Sequence, residues 1–66
     1  MSIGDKIKKL RTDRFMSRRA FADKIGYDTR VVSLWERNQR TPRIKAIREI
    51  CELFNITLDM FFEGVI

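Results

Sequence analysis

The side chains best equipped for chemistry in this chain are guanidinium groups. Arg18, Arg19, Arg30, Arg37, Arg40, Arg43 and Arg48 fall within one stretch, and each offers a planar fork of N–H donors that suits an anionic partner. The 66 residues carry 14 Lys+Arg against 9 Asp+Glu, a net charge of +5 with pI near 10.0. The distribution is uneven. Every base lies at or before Arg48, with five acids beside them, whereas Glu49, Glu52, Asp59 and Glu63 face no base at all. One part of the molecule suits a polyanion and the other repels it, an electrostatic footprint of nucleic-acid binding.

Other chemistries are excluded by what is missing. With 0 His there is no Ser-His or Cys-His nucleophile pair. The single cysteine, Cys51, cannot form an intramolecular bridge, and no Cys/His cluster exists to hold zinc, so no cofactor or metal is implied. Cys51 reads as a small buried apolar residue. A 66-residue chain leaves little room for a substrate pocket, and enzyme activity is not expected. No apolar run approaches a membrane span and no signal-peptide pattern opens the chain. The expectation is a cytoplasmic protein without membrane contact.

Five short helices are expected, with no strand. Ser2 caps the first, with Asp5 three residues on and Ile3, Ile7 and Leu10 on one face. Ser17 caps the second, where Phe21 and Ile25 stack and Gly26 ends the helix. Asp28 or Thr29 caps the third, whose inner face is Val31 or Val32 with Trp35. Asp28 could instead read a cytosine amino group, but capping is the simpler role. Asn38 tolerates positive φ and suits the end of the third helix, and Pro42 fits the junction to the fourth. Ile44, Ile47, Ile50, Cys51 and Phe54 form the apolar stripe of that fourth helix, and Asn55 closes it. Thr57 caps a fifth, from Leu58 to about Glu63, stopped at Gly64.

Arg18 to Arg37 is therefore a helix, a tight turn and a second helix. Ala22 permits close approach, Gly26 permits the turn, and Phe21, Ile25, Tyr27, Val32 and Trp35 hold the pair on the rest. Thr29, Arg30, Ser33, Leu34 and Arg37 remain exposed, and in a helix-turn-helix that face lies in the major groove. At this point the sequence resembles a known family. MSxxxFAxKIGYxxxxVSLWERNxRTP is similar to the helix-turn-helix of the lambda-repressor/Cro type, also called the XRE family. The most specific parts are Ala22…Gly26, Val32-Ser33…Trp35-Glu36-Arg37-Asn38 and Pro42, with the tail Phe54 to Phe62 resembling the last helix of small members.

The resemblance implies an all-α, compact five-helix lambda-repressor-like domain over residues 1–66, and it implies roles. Thr29, Arg30, Ser33 and Leu34 match base-contacting positions. Arg30 is the foremost of them, since a guanidinium binds guanine O6/N7 bidentately, and Leu34 suits a thymine methyl. Ser17, Arg18, Arg37, Arg40 and Arg43 match phosphate-contacting positions. Family members commonly carry glutamine where Arg18 stands, where it supports a base contact; arginine is suited to phosphate. Arg11 and Glu36 match a buried structural ion pair between the first and third helices.

The segment from about residue 49 to 66 is acidic and apolar. Leu58, Phe61 and Phe62 are expected to turn inward together. Met60, Phe62, Val65 and Ile66 are the expected homodimer interface, since an apolar patch with negative charge is poor for DNA and good for protein. The functional expectation is a sequence-specific transcriptional regulator, a repressor before an activator, binding double-stranded DNA at an inverted-repeat operator as a homodimer. The rivals are a toxin–antitoxin autoregulator with a toxin partner, and a protein-interaction adaptor on the same fold.

Overall fold

The computed structural model describes residues 1–66. Its elements are α1 (Ile3–Thr12), α2 (Arg18–Ile25), α3 (Thr29–Glu36), α4 (Ile44–Phe54) and α5 (Leu58–Phe62). All but α4 start where a side chain accepts one of the first free N–H groups. Ser2 and Asp5 form a reciprocal capping box on α1, Ser17 accepts from Ala20, Asp28 from Arg30 and Thr57 from Met60. The stops are equally local. Gly26 (φ 78°) ends α2 and Asn55 (φ 54°) ends α4, both left-handed. Asn38 (φ 58°) takes the same conformation just beyond α3.

The apolar stripes converge on one core built from Ile7, Phe21, Ala22, Ile25, Val32, Trp35, Ala46, Ile47, Ile50, Cys51, Phe54 and Phe61. Phe21 stacks on Phe54 with ring centroids 5.7 Å apart, and Tyr27 meets Trp35 edge-on at 5.1 Å. Each such aromatic pair adds about 0.5–1.5 kcal/mol beyond the area it buries. The helices pack α1 on α3, α2 on α3 and α4, and α5 on α4 and α1.

Two expectations about the core are corrected. Ile44 is 56% exposed, and Ala46 takes the inward place instead. At about 100° per residue Ile44 lies near the edge of the stripe centred on Ile47 and Ile50, and as the first helical residue it has no preceding turn beside it. In α5, only Phe61 is buried, while Leu58 and Phe62 are each 40% exposed. A helix of five residues makes little more than one turn and has one inward position. Phe62 packs its ring edge-on against Phe61 from outside.

Gly4 is a determinant that the sequence reading passed over. It is buried in α1, and a Cβ there would overlap the Trp35 carbonyl oxygen and crowd Asn38 Oδ1. The Gly4 amide donates to that same Oδ1 at 3.1 Å. A glycine inside a helical pattern, at a cost of about 1 kcal/mol, signals a packing reason, and here it is a close approach of α1 to the C-terminal end of α3.

Candidate nucleic-acid interface

The turn between α2 and α3 is only Gly26, Tyr27 and Asp28. Gly26 and Tyr27 both return their N–H groups to the Ala22 carbonyl, and Asp28 Oδ1 accepts from Arg30 N at 2.7 Å. Asp28 is thus committed to the cap. With Val32 and Trp35 turned into the core, α3 presents Arg30 and Arg37 to solvent and Thr29, Ser33 and Leu34 half-buried. Val31 is half-buried too and packs against the core edge.

Positive charge flanks this face. Arg30, Arg40 and Arg43 are exposed and take part in no ion pair; the ion pairs are Lys9–Asp13, Arg11–Glu36 and Arg18–Glu36. The Leu34 carbonyl accepts from the Gln39 and Arg40 amides, which folds the loop back over the end of α3 and brings Arg40 beside it. Arg43 is the N-cap of α4 but offers no side-chain cap, so the first N–H groups of α4 lack that partner. Arg40, Thr41 and Arg43 line one side of a cleft of about 370 Å³ against Tyr27, Val31, Trp35 and Ala46. A second cleft, of about 270 Å³, is bordered by Arg18, Ser33 and Arg37 alone. Thr29 stands apart from both, near Arg19, Asp23 and Asp28. Ser17 spends its hydroxyl oxygen on Ala20 N at 3.0 Å and keeps the O–H as a donor.

Behind the face lies a charged network. Arg11 Nε donates to Glu36 Oε2 at 2.7 Å and Nη2 to Oε1 at 3.0 Å, while Nη1 reaches the Met16 carbonyl at 2.8 Å. Arg18 Nε also donates to Glu36 Oε1, at 3.0 Å. The sequence placed Arg18 on phosphate and gave no sign of this third member, because two side chains 18 positions apart meet only once α2 and α3 have packed. Burial pushes the Glu36 carboxyl up, but the hydrogen bonds from Arg11 and Arg18 and the charges of both outweigh it and leave its pKa below the ordinary 4.5. Cys51, buried with Sγ against the Thr57 carbonyl, has its thiol pKa pushed up from 9.0 by burial.

The opposite end is different in kind. Met60 is 49% and Phe62 40% exposed, Ile66 is fully exposed and Val65 is half-buried. The chain ends here against its own start, with the Met1 amino group donating to the Gly64 carbonyl and the Ile66 amide to the Met1 carbonyl.

Two short helices joined by a left-handed glycine turn, the second with a polar outer face and arginines around it, define a helix-turn-helix DNA-binding domain. The comparison with known families agrees: the helix-turn-helix family of lambda-repressor-like (XRE) type matches residues 7–61. The chain belongs to that family, whose members are DNA-binding regulators. A search of curated proteins finds no match to it. No helix is long and apolar enough to cross a membrane.

Proposed function

We propose that this protein is a sequence-specific transcriptional regulator that binds an inverted-repeat operator as a homodimer and represses where that operator overlaps a promoter. The observation that carries it is the outer face of α3, where Thr29, Arg30, Ser33 and Leu34 stand clear of the core with Arg37, Arg40 and Arg43 beside them. Thr29, Arg30, Ser33 and Leu34 read base edges, with Arg30 on guanine O6/N7. Ser17, Arg37, Arg40 and Arg43 fix the register on the phosphates. Residues 1–66 act as one DNA-binding domain on DNA in the cytoplasm.

The exposed Leu58, Met60 and Phe62 support the dimer. With Val65 and Ile66 they form an apolar surface carrying acidic neighbours, unsuited to DNA and suited to a second copy. A two-fold axis there sets the two α3 helices about 34 Å apart, one turn of DNA. Selection from a randomised duplex library at physiological salt, with sedimentation of the free protein, tests both parts. Enrichment of an inverted repeat and a dimer at tens of micromolar are expected. Uniform weak binding with a co-purifying partner would instead mean that the fold serves protein recognition, as in an antitoxin.

A further inference from the structure

Glu36 has one more partner than its charge requires. Arg11 already engages both carboxylate oxygens, at 2.7 and 3.0 Å. The added bond from Arg18 Nε supports that buried charge, and because the Arg18 side chain is 45% exposed it acts on Arg18 as well. A guanidinium held by Nε is restrained, its plane and direction biased by a carboxylate that Arg11 itself grips through two bonds. The two terminal nitrogens, Nη1 and Nη2, stay unengaged and border the cleft shared with Ser33 and Arg37. Arg37 is restrained as well, its Nε lying 3.4 Å from the Ser33 carbonyl.

A phosphate does not need such an arrangement, because a mobile charge attracts it almost as well. A base edge does, because bidentate pairing requires the fork to lie in the plane of the base. We propose that Arg18 is a base-reading residue: its Nη1 and Nη2 bind O6 and N7 of a guanine, and Glu36 is the positioning residue that presents them. The inference rests on the proposed DNA-reading function and moves Arg18 from the phosphate contacts to the specificity determinants. Ser33 is its neighbour in the cleft.

Arg18→Lys tests this, because it keeps the charge and removes the fork. Glu36 retains both bonds from Arg11, so the fold is preserved, and thermal melting verifies it. Wild type and variant are each taken through selection from the randomised duplex library. Wild type is expected to enrich a repeat with one guanine per half-site that Arg18→Lys no longer selects. Affinity for the wild-type repeat falls by about 5- to 150-fold, the value of one bidentate base pairing, with the salt dependence of binding retained. Glu36→Gln, assayed in the cold where circular dichroism verifies the folded state, relaxes that same position and no other; a merely structural carboxylate would relax every position of the half-site together and overturn the positioning role. The same repeat enriched by Arg18→Lys with comparable affinity means that Arg18 holds phosphate, and the inference fails while the function stands. If wild type enriches no sequence, both fall together.

Discussion

Glu36→Gln isolates the largest single electrostatic commitment in the fold. The carboxylate accepts three charged donors and is almost fully buried, with side-chain exposures of 2% for Glu36 and 9% for Arg11. Glutamine keeps the shape but removes the charge and turns an NH2 toward a guanidinium. Stranding a buried charge in this way costs about 3–5 kcal/mol. A chain of 66 residues has a total stability of roughly 3–10 kcal/mol, so the loss is a large fraction of the whole. At about 4–8 °C per kcal/mol for a domain of this size, the melting temperature falls by about 12 °C or more. Arg11→Met alone should also be costly, since it strands Glu36 and frees the Met16 carbonyl that Nη1 held at 2.8 Å. Replacing both, as Arg11→Met with Glu36→Leu, removes both charges, and Arg18 is exposed enough to find water. The double variant is expected to be more stable than Glu36→Gln by about 2 kcal/mol or more, because apolar replacement of an entire buried pair is often neutral. Urea unfolding of wild type, Arg11→Met, Glu36→Leu and the double variant, followed by far-ultraviolet circular dichroism, gives the four corners of the cycle. Strict additivity of the two single losses would refute the argument that the network matters as a unit.

Four further outcomes follow from the same geometry. Because the Glu36 pKa is depressed in the fold, its contribution is present above the ordinary carboxyl value and is lost as pH falls through the folded one; acid unfolding below about pH 4.5 should flatten in Glu36→Gln, and a pH titration of the melting temperature checks it. Gly4→Ala drives a Cβ into the Trp35 carbonyl and should cost about 1–3 kcal/mol, read by thermal melting; a neutral result would mean that α1 and α3 can separate freely. Arg30→Ala should relax one position in each half-site of a selected repeat, whereas Arg43→Ala should weaken all sequences alike and lower the salt slope by about one. Cys51, buried and with its thiol pKa raised, should be alkylated at neutral pH only as fast as the protein opens; labelling of the native state at the rate of a free thiol would contradict its placement.

The fold was legible wherever a local rule decided the outcome. Ser2, Ser17, Asp28 and Thr57 cap because their oxygens reach amides two or three residues on, and Gly26, Asn38 and Asn55 stop helices because left-handed φ is cheap for them. Local rules also mislead at ends. Ile44 fits the spacing of the α4 stripe yet points to solvent, and Leu58 and Phe62 fit an apolar cluster for which α5 is too short. Phe15 shows the limit from the other side: it sits at φ 57° and 98% exposed, a left-handed position that nothing in its chemistry announces. What the sequence could not disclose are meetings across distance. The Gly4 approach to Trp35 spans the gap between α1 and α3, and Arg18 joins Glu36 only because α2 and α3 dock side by side. The resemblance to the family supplied the Arg11–Glu36 pairing, which residue spacing alone would not have suggested.

A helix of eight residues is a poor probe by itself, since isolated helices shorter than about 12–15 residues are marginal in water. If α3 is to distinguish one base pair from another, its axis and rotation must be set from behind. Three ties from α1 do this. Gly4 sits against the Trp35 carbonyl, Asn38 just past the end of α3 accepts from the Gly4 amide, and Glu36 is gripped by Arg11. All three act on residues 35 to 38, the C-terminal end of α3, while the cap at Asp28 and the packing of Val32 fix the other end. The helix is thereby held at both ends and along its inner side, and Arg30, Ser33 and Leu34 are left for the proposed partner. In this arrangement α1 contributes to recognition without facing the DNA. Loosening α1, as at Gly4 or Arg11, should therefore lower discrimination between related sequences before it abolishes binding, because the phosphate contacts proposed for Arg40 and Arg43 would tolerate a tilt that base edges do not.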